Sequence, residues 1–252
     1  MVKPTISVAV IAKNEADRIS RLLESVSFTD EVIVVDSGSS DGTQVLCEQM
    51  GARVLYNEWP GYASQKNFAM EQTKSEWVLN LDADEEVSAA LAEEICSAVR
   101  YTAPEVHGFS MPRLSRYLGR WIKHGGWYPD YKVRLVRKGS GRWRGDSLHE
   151  KLMVDGDVKR LSKPIIHHVY RQISDQVKTI NSFSDVYAAN RAPVGSGFVL
   201  AGVGHALVKF LECYVWKIGV LDGIPGLIIA MNSAWYVFLK HAKAWESASK
   251  NR

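Results

Sequence analysis

The sequence has few cysteines and no segment typical of secretion. Its only cysteines are Cys47, Cys96 and Cys213, which lie far apart in a chain of 252 residues. This number and spacing exclude a disulfide framework and offer no cysteine-based metal site. The first residues lack a basic start, a long apolar run and a small-residue cleavage site, and no apolar stretch approaches a membrane-spanning length free of charge. We therefore expect a cytosolic protein.

Acidic residues are scarce in one part of the chain. The formal net charge is only +3, but the segment from Arg113 to Arg144 contains ten Lys or Arg against one acid, Asp130. Such a segment is expected to meet an anionic partner. Hydrophobic residues are not scarce: they make up 46% of the chain, against 23% charged residues. This composition can bury a large core and excludes a disordered chain.

Short apolar runs alternate with helical segments in the first hundred residues. The runs end in polar residues, which predicts buried parallel strands at 5–11, 31–35, 52–55 and 76–81. Helical periodicity and end signals predict helices at about 15–26, from Ser40 to just before Gly51, at 62–73 and at 88–100. This order predicts an α/β fold with helices on both faces of the sheet.

Polar residues stand directly after three of these strands, at 13–15, 36–43 and 82–85. Ligands of such sheets bind at the carboxyl ends of the strands. Asp82 and Asp84 form a D-x-D motif, whose carboxylates suit a hard divalent cation that offsets the charge of a leaving diphosphate. Asp36 can accept hydrogen bonds from a nucleobase or a ribose. The alternative for the D-x-D motif is a solvated acidic turn before the next helix.

The alternation ends near residue 105, and the following basic, aromatic segment is expected to bind an acceptor. Three further helices are predicted at about 174–190, 198–221 and 226–245. The last two combine wide apolar faces with lysines, which favours a membrane interface, although packing on the protein's own core or on a dimer partner is the alternative. We predict a catalytic domain at 1–192, with a donor half at 1–104 and an acceptor half at 105–192, and a membrane-association region at 193–252.

Three motifs in this order and spacing resemble the donor-binding half of glycosyltransferase family 2: IAKNEADRI at 11–19, VVDSGSSDGT at 34–43 and LDADEE at 81–86. The resemblance implies the GT-A fold, a Rossmann-like mixed sheet flanked by helices, and usually inversion of the anomeric centre. It also implies Mg²⁺ or Mn²⁺ as cofactor. By the same resemblance Asn14, Glu15 and Asp36 contact the nucleotide, Asp82 contacts the donor and Asp84 is a metal ligand.

Later segments narrow the resemblance to one bacterial branch of the family. RYLGRWIKHGGWYPDYKVRLVRKGSGRW, SLHEKL, PIIHHVYR and the last long apolar segment look like the β-1,4-glucosyltransferases of the lipopolysaccharide inner core. This implies UDP-glucose as the donor and a heptose of a lipid-linked oligosaccharide as the acceptor. It also implies a peripheral position on the inner face of the inner membrane.

An inverting transfer needs one carboxylate that takes the proton of the acceptor hydroxyl. Other members of the family usually carry a Glu-Asp pair at the position of this base, whereas His149 and Glu150 stand here. Glu150 is therefore the candidate base, and Asp130 is the alternative.

Further residues complete the predicted site. His167 and His168 close a strand, where only one of them can face the site. The resemblance suggests a metal or diphosphate contact for one, and we favour His168. Lys66, Arg134 and Arg144 are predicted to bind the donor, and paired N–H groups of the arginines suit phosphate oxygens.

Two other functions remain open from the sequence. In the first, the chain is a transferase whose acceptor is a polyprenyl phosphate or a protein. In the second, it is a non-catalytic module that binds a membrane or nucleic acid. Basic residues interleaved with aromatic ones also suit single-stranded nucleic acid. However, Asp36, Asp82 and Asp84 would repel its phosphates unless a metal intervened. We expect no nucleic-acid partner, and a homo-oligomer is left open.

Overall fold

The computed structural model describes residues 4–145, 150–191 and 194–250. The chain forms two compact units. Unit one consists of Met1–Arg113 and Tyr131–His167, and unit two of Leu114–Asp130 and His168–Arg252. The two units are defined by how the chain packs and not by function. The functional boundary expected at residue 193 therefore stays a prediction.

The predicted parallel strands of unit one are present. They are β1 (Ile6–Ala12), β2 (Glu31–Asp36), β3 (Arg53–Tyr56) and β4 (Trp77–Asp82). The helices between and after them are α1 (Ile19–Ser25), α2 (Thr43–Gln49), α3 (Tyr62–Glu71) and α4 (Ala89–Tyr101). Alternate residues of β1 face opposite sides, so that Val8 and Val10 pack in one hydrophobic cluster and Ala9 in another. Both faces of the sheet are therefore buried.

The region in which the alternation fails contains further strands: the one that ends at His167 was predicted, and the others were not. The remaining strands are β5 (Glu85–Val87), β6 (Val106–Tyr117), β7 (Arg120–Ile122), β8 (Asp130–Arg137), β9 (Gly141–Arg144), β10 (Lys151–Val154), β11 (Asp157–Arg160) and β12 (Ile165–His167). The main order is β3-β2-β1-β4-β8-β6-β12-β5, while β9 and β10 form a separate two-stranded sheet. Most of these strands are short or largely exposed, and β11 is exposed throughout. They therefore lack the apolar runs from which strands are predicted.

Strand register brings the predicted site residues to one edge of the sheet. Parallel pairing sets Ala12 of β1 opposite Asp36 of β2, and Ile11 opposite Asp82 of β4. The carboxyl ends of these three strands therefore lie side by side. Antiparallel pairing of β4 with β8 sets Leu79 opposite Leu135.

Unit two is mainly helical. Its helices are α5 (Ile173–Ala189), α6 (Gly197–Leu211) and α7 (Gly223–Lys250), and a π-helical segment (Glu212–Trp216) and a short 3-10 segment (Gly219–Asp222) join α6 to α7. The end of β6 pairs with β7 in this unit. Tyr117 is fully buried there, and its hydroxyl donates a hydrogen bond to Gln176 Oε1 (2.6 Å).

One buried carboxylate ties the loop after β7 to the turn before α7. Asp222 is only 3% exposed. Its oxygens accept hydrogen bonds from the backbone N–H of His124 (2.9 Å) and from that of Lys123 (3.4 Å). The Nδ1 atom of His124 lies 3.0 Å from Asp222 Oδ1. This buried carboxylate therefore has its own hydrogen-bonding capacity satisfied by the backbone of the loop that contains Lys123 and His124.

Two helical stretches bear on the expectation that no apolar segment free of charge reaches membrane-spanning length. Within the described residues, Gly197–Trp216 and Gly219–Ser249 are long and apolar enough to cross a membrane by length and composition. The sequence analysis required a stretch free of charge. In the structure the helix runs on past single charged residues such as Lys209 and Glu212.

Replacing Asp222 by Ala should destabilise the protein by about 1–3 kcal/mol, because it removes the acceptor of the hydrogen bonds that the backbone N–H groups of Lys123 and His124 donate. Urea unfolding followed by circular dichroism measures this loss. Asp157→Ala, at an exposed position of β11, is the matched control and should stay within about 0.5 kcal/mol of the parent. Equal losses in both variants would contradict the role given to Asp222.

Candidate active site

A cavity of about 530 Å³ lies in unit one at the carboxyl ends of β1 and β4. A volume of this size suits a small-molecule ligand. Its lining contains five of the predicted site residues or their alternatives, which lie after β1, at and after the end of β4, in α3 and in β12, together with Glu150. These residues are Glu15, Lys66, Asp82, Asp84, Glu150 and His167.

The first carboxylate of the D-x-D motif is held between two cations. Lys66 Nζ lies 2.8 Å from Asp82 Oδ1, and Arg134 Nη2 donates to Asp82 Oδ2. Arg134 also donates to Glu85 Oε1 (2.6 Å), and both Arg134 and Glu85 are buried. Burial alone would raise the pKa of Asp82, but Arg134 and Lys66 outweigh it and hold that pKa well below its usual range. Asp82 is therefore a fixed anion with its charge offset inside the protein.

The second carboxylate of the motif has a different environment. Asp84 Oδ2 lies 3.5 Å from His167 Nε2 and 3.7 Å from Arg18 Nη1. Both distances are longer than those around Asp82, and Asp84 lines the cavity. A carboxylate and an imidazole thus meet where a ligand can reach them.

Glu150 and Asp82 both contact the ammonium group of Lys66. Lys66 Nζ is 3.5 Å from Glu150 Oε1 and 2.8 Å from Asp82 Oδ1. Its ammonium also lies 4.3 Å from the ring centre of Trp143. The buried Lys66 therefore links Asp82 of the D-x-D motif to the predicted base. The sequence does not reveal this role, because Lys66 lies inside helix α3.

Asp36 and Asn14 shape the loop after β2. Asp36 is fully buried, and its Oδ1 accepts hydrogen bonds from the backbone N–H groups of Gly38 and Ser39 at 2.8 Å. Burial raises the pKa of Asp36, but the hydrogen bonds from Ser39, Gln44 and Gly38 lower it more. Asn14 Oδ1 accepts from the backbone N–H of Ser40 (2.9 Å). These contacts order the loop, and the nucleotide contacts expected of both residues stay predictions.

Other predicted residues have different positions. The histidine that lines the cavity is His167, whereas the sequence analysis favoured His168. In β12 Ile165 and His167 are buried and point to one side, whereas His168 follows the end of the strand and is not part of the cavity lining. Arg144 is exposed on β9 and lines a separate depression with Arg142. Asp130 and His168 belong to unit two, His149 lies outside the described residues, and all their roles remain predictions.

Two aromatic residues of the cavity were not predicted. Trp59 and Tyr62 pack edge to face with ring centres 4.7 Å apart, and both line the cavity. Burial, with contributions from Glu150 and Asp82, raises the pKa of the Tyr62 hydroxyl, so it can donate a hydrogen bond at neutral pH. The signal in the sequence was WPGY at 59–62, two aromatic residues at a turn just before a helix.

The described residues contain no group of three His, Cys, Asp or Glu that could hold a metal ion alone. Asp84 and His167 supply two adjacent ligand atoms in the cavity. Mg²⁺ and similar cations are commonly held by one or two protein carboxylates together with substrate phosphates. The residues therefore fit a divalent cation that a diphosphate helps to bind.

The comparisons with known proteins find similarity to glycosyltransferases. The model of the family described as glycosyl transferase family 2 matches residues 7–153. The chain is 28% identical over 256 residues to the lipopolysaccharide core biosynthesis glycosyltransferase LpsC of Rhizobium meliloti (strain 1021), covering 97% of this chain and 93% of the relative. It is 50% identical over 267 residues to the uncharacterized glycosyltransferase RC0292 of Rickettsia conorii (strain ATCC VR-613 / Malish 7), covering 98% and 92%.

A solved structure confirms the predicted GT-A fold. It is that of the mannosyltransferase PcManGT from Pyrobaculum calidifontis in complex with GDP-Man and Mn²⁺. The likeness covers 98% of this chain and 88% of that one, with a TM-score of 0.54 and 15% identity.

Arg134→Met should destabilise unit one by about 3–5 kcal/mol, because it leaves Asp82 and Glu85 without the cation that they share. Chemical unfolding at neutral pH measures the change. Lys178→Met removes a cation that is 78% exposed and lies 4.0 Å from Asp175. This control should cost less than about 1 kcal/mol. A small loss for Arg134→Met would mean that the buried pairing is not needed for folding.

Proposed function

This chain belongs to glycosyl transferase family 2, and from that premise we propose that it moves glucose from UDP-glucose to a heptose of the lipopolysaccharide inner core, with inversion. That the chain is a glycosyltransferase follows from the family. The observation that carries the proposal is that one cavity is lined both by the pair Asp84 and His167 and by a separate carboxylate, Glu150. The full-length likeness to LpsC, a lipopolysaccharide core biosynthesis enzyme by name, supports this acceptor.

The leaving diphosphate is the part of the reaction that most needs stabilisation. We assign Asp84 and His167 as the protein ligands of Mg²⁺ or Mn²⁺, since their side chains meet inside the cavity. A divalent cation bound there would supply positive charge to the departing diphosphate. The presence of Mn²⁺ in the PcManGT complex supports this choice of cofactor. Lys66 adds a fixed positive charge to the same cavity wall.

The acceptor hydroxyl must lose its proton as it attacks the anomeric carbon. Glu150 is the base in this proposal because it lines the cavity and, among the ion pairs described, its carboxylate contacts only the ammonium group of Lys66, at 3.5 Å. Asp82 is less suited to this task, because its charge is held by two cations and its affinity for a proton is lowered. In this proposal Asp84 therefore serves the leaving diphosphate, and Glu150 serves the attacking hydroxyl.

The exposed faces of the last helices support an association with the membrane. Along α6 and the π-helical segment, Leu200, Val203, Leu207, Leu211 and Val215 are all exposed, and they recur every three or four residues. This spacing gives one continuous apolar stripe. A stripe of this kind next to lysines is typical of helices that lie in a membrane interface. We propose a peripheral position on the inner face of the inner membrane.

Substitutions at Asp84 and Glu150 should have separable effects. Asp84→Ala should abolish metal-dependent binding of UDP and, with it, turnover, because a metal ligand is lost. Glu150→Gln should keep metal-dependent UDP binding but lower kcat by about 10²–10⁴-fold, because it removes general base catalysis. Calorimetry with and without a chelator measures binding, and UDP release with a heptose-containing core acceptor measures turnover.

Two results would contradict these assignments. Full activity of Asp84→Ala would exclude its role at the metal. Loss of metal-dependent UDP binding in Glu150→Gln would place this residue in the donor site instead of beside the acceptor. Lack of UDP release by the parent protein with this acceptor would overturn the proposed acceptor.

Replacing Leu207 and Leu211 together by Gln should weaken binding to anionic phospholipid vesicles by tenfold or more, since each inserted leucine contributes about 1.5 kcal/mol or more. Vesicle flotation measures the effect, and Val45→Gln, at an exposed position of α2, is the matched control. Alkaline carbonate should release the parent protein from membranes. Retention after this wash would instead indicate that the two long helices span the bilayer.

A further inference from the structure

A second cavity lies in unit one beside the first. Its volume is about 520 Å³, close to the 530 Å³ of the first cavity. The two cavities share Lys66, Asp82 and Glu150 in their linings. These three side chains, which include the proposed base, therefore lie at the boundary between two spaces of nearly equal size.

The two cavities differ in charge. Four carboxylates line the first cavity, against two lysines and one histidine. The second is lined by two carboxylates, Asp82 and Glu150, and by five cationic side chains: Lys66, Arg113, Lys132, Arg134 and Lys151. A negative lining suits a metal cation with its diphosphate, whereas a positive lining suits an anion.

The local structure explains how the cations come together. Lys132 and Arg134 are two residues apart on β8, so their side chains leave the strand on the same face. Arg134 is fixed by Asp82 and Glu85, and Arg113 lies 3.7 Å from the same Glu85. Lys151 is exposed at the start of β10, directly after Glu150. The positive lining is therefore built from three strands and helix α3, and its two arginines are anchored by the buried carboxylate of Glu85.

From this contrast we infer that the second cavity binds the acceptor, and that the acceptor carries an anionic group, a phosphate or a carboxylate, held by Lys132, Lys151 and Arg113. The inference rests on the proposed role of Glu150. Because Glu150 lines both cavities, an acceptor in the second presents its hydroxyl to the base while the sugar donor occupies the first. Charge-assisted hydrogen bonds from lysine and arginine select such a group over a neutral one.

The first experiment tests whether an anion binds at a site that is separate from the donor site. Inorganic phosphate is titrated by calorimetry into the protein with and without saturating UDP and Mn²⁺. We expect phosphate to bind in both conditions, and Lys132→Gln/Lys151→Gln to weaken its binding by tenfold or more. Lys132→Arg/Lys151→Arg should keep most of the affinity, because it conserves the charge. Lys159→Gln, at an exposed position of β11, is the matched control and should bind phosphate like the parent.

Turnover identifies the source of the anion. With inner-core oligosaccharide as acceptor, phosphatase treatment should raise KM by about tenfold if a phosphate is held, and methyl esterification should do so if a carboxylate is held. The Gln double variant should lose this discrimination. No phosphate binding by the parent, or an equal loss in Lys159→Gln, would overturn the inference. Absent UDP binding would count against the proposed function instead, so the two failures are distinguishable.

Discussion

The attraction between Asp82 and the two cations Lys66 and Arg134 is the constraint on which the arrangement of the site depends. A carboxylate at the buried end of β4 would be unfavourable without compensation, since burial disfavours its charged form. Lys66 comes from α3 and Arg134 from β8, so the pairing also ties a helix and an antiparallel strand to the end of a parallel one. With Asp82 compensated from within, Asp84 is the carboxylate of the motif that a ligand can use.

The pairing also divides the space around it. Lys66, Asp82 and Glu150 line both cavities, and the spaces they share have opposite charge. This division fits the proposed transfer, which assigns one compartment to a diphosphate with its cation, the other to the acceptor, and the base to the boundary. In unit two a buried carboxylate again has a structural task, because Asp222 holds two segments together while apolar side chains of α6 face outward.

The donor half of the fold could be predicted because its signals are local. Apolar runs ending in Asp36 and Asp82, each followed by a helical segment, were sufficient to place these strands along the chain. The D-x-D motif identified the edge at which the cavity lies. The strands from β6 to β11 were not predicted, since an exposed strand such as β11 has neither a buried face nor an alternating pattern.

The sequence by itself determined the strand ends at which the carboxylates stand, because periodicity along the chain encodes them, and its motifs indicated the family and the GT-A fold by resemblance. Only the tertiary structure decided that His167 lines the cavity in place of His168, that Lys66 contacts both Asp82 and Glu150, and that Arg144 lies elsewhere. These facts depend on strand register and on contacts between residues as far apart as 84 positions. A linear pattern cannot specify such pairings, since many side chains of the right charge compete for each one.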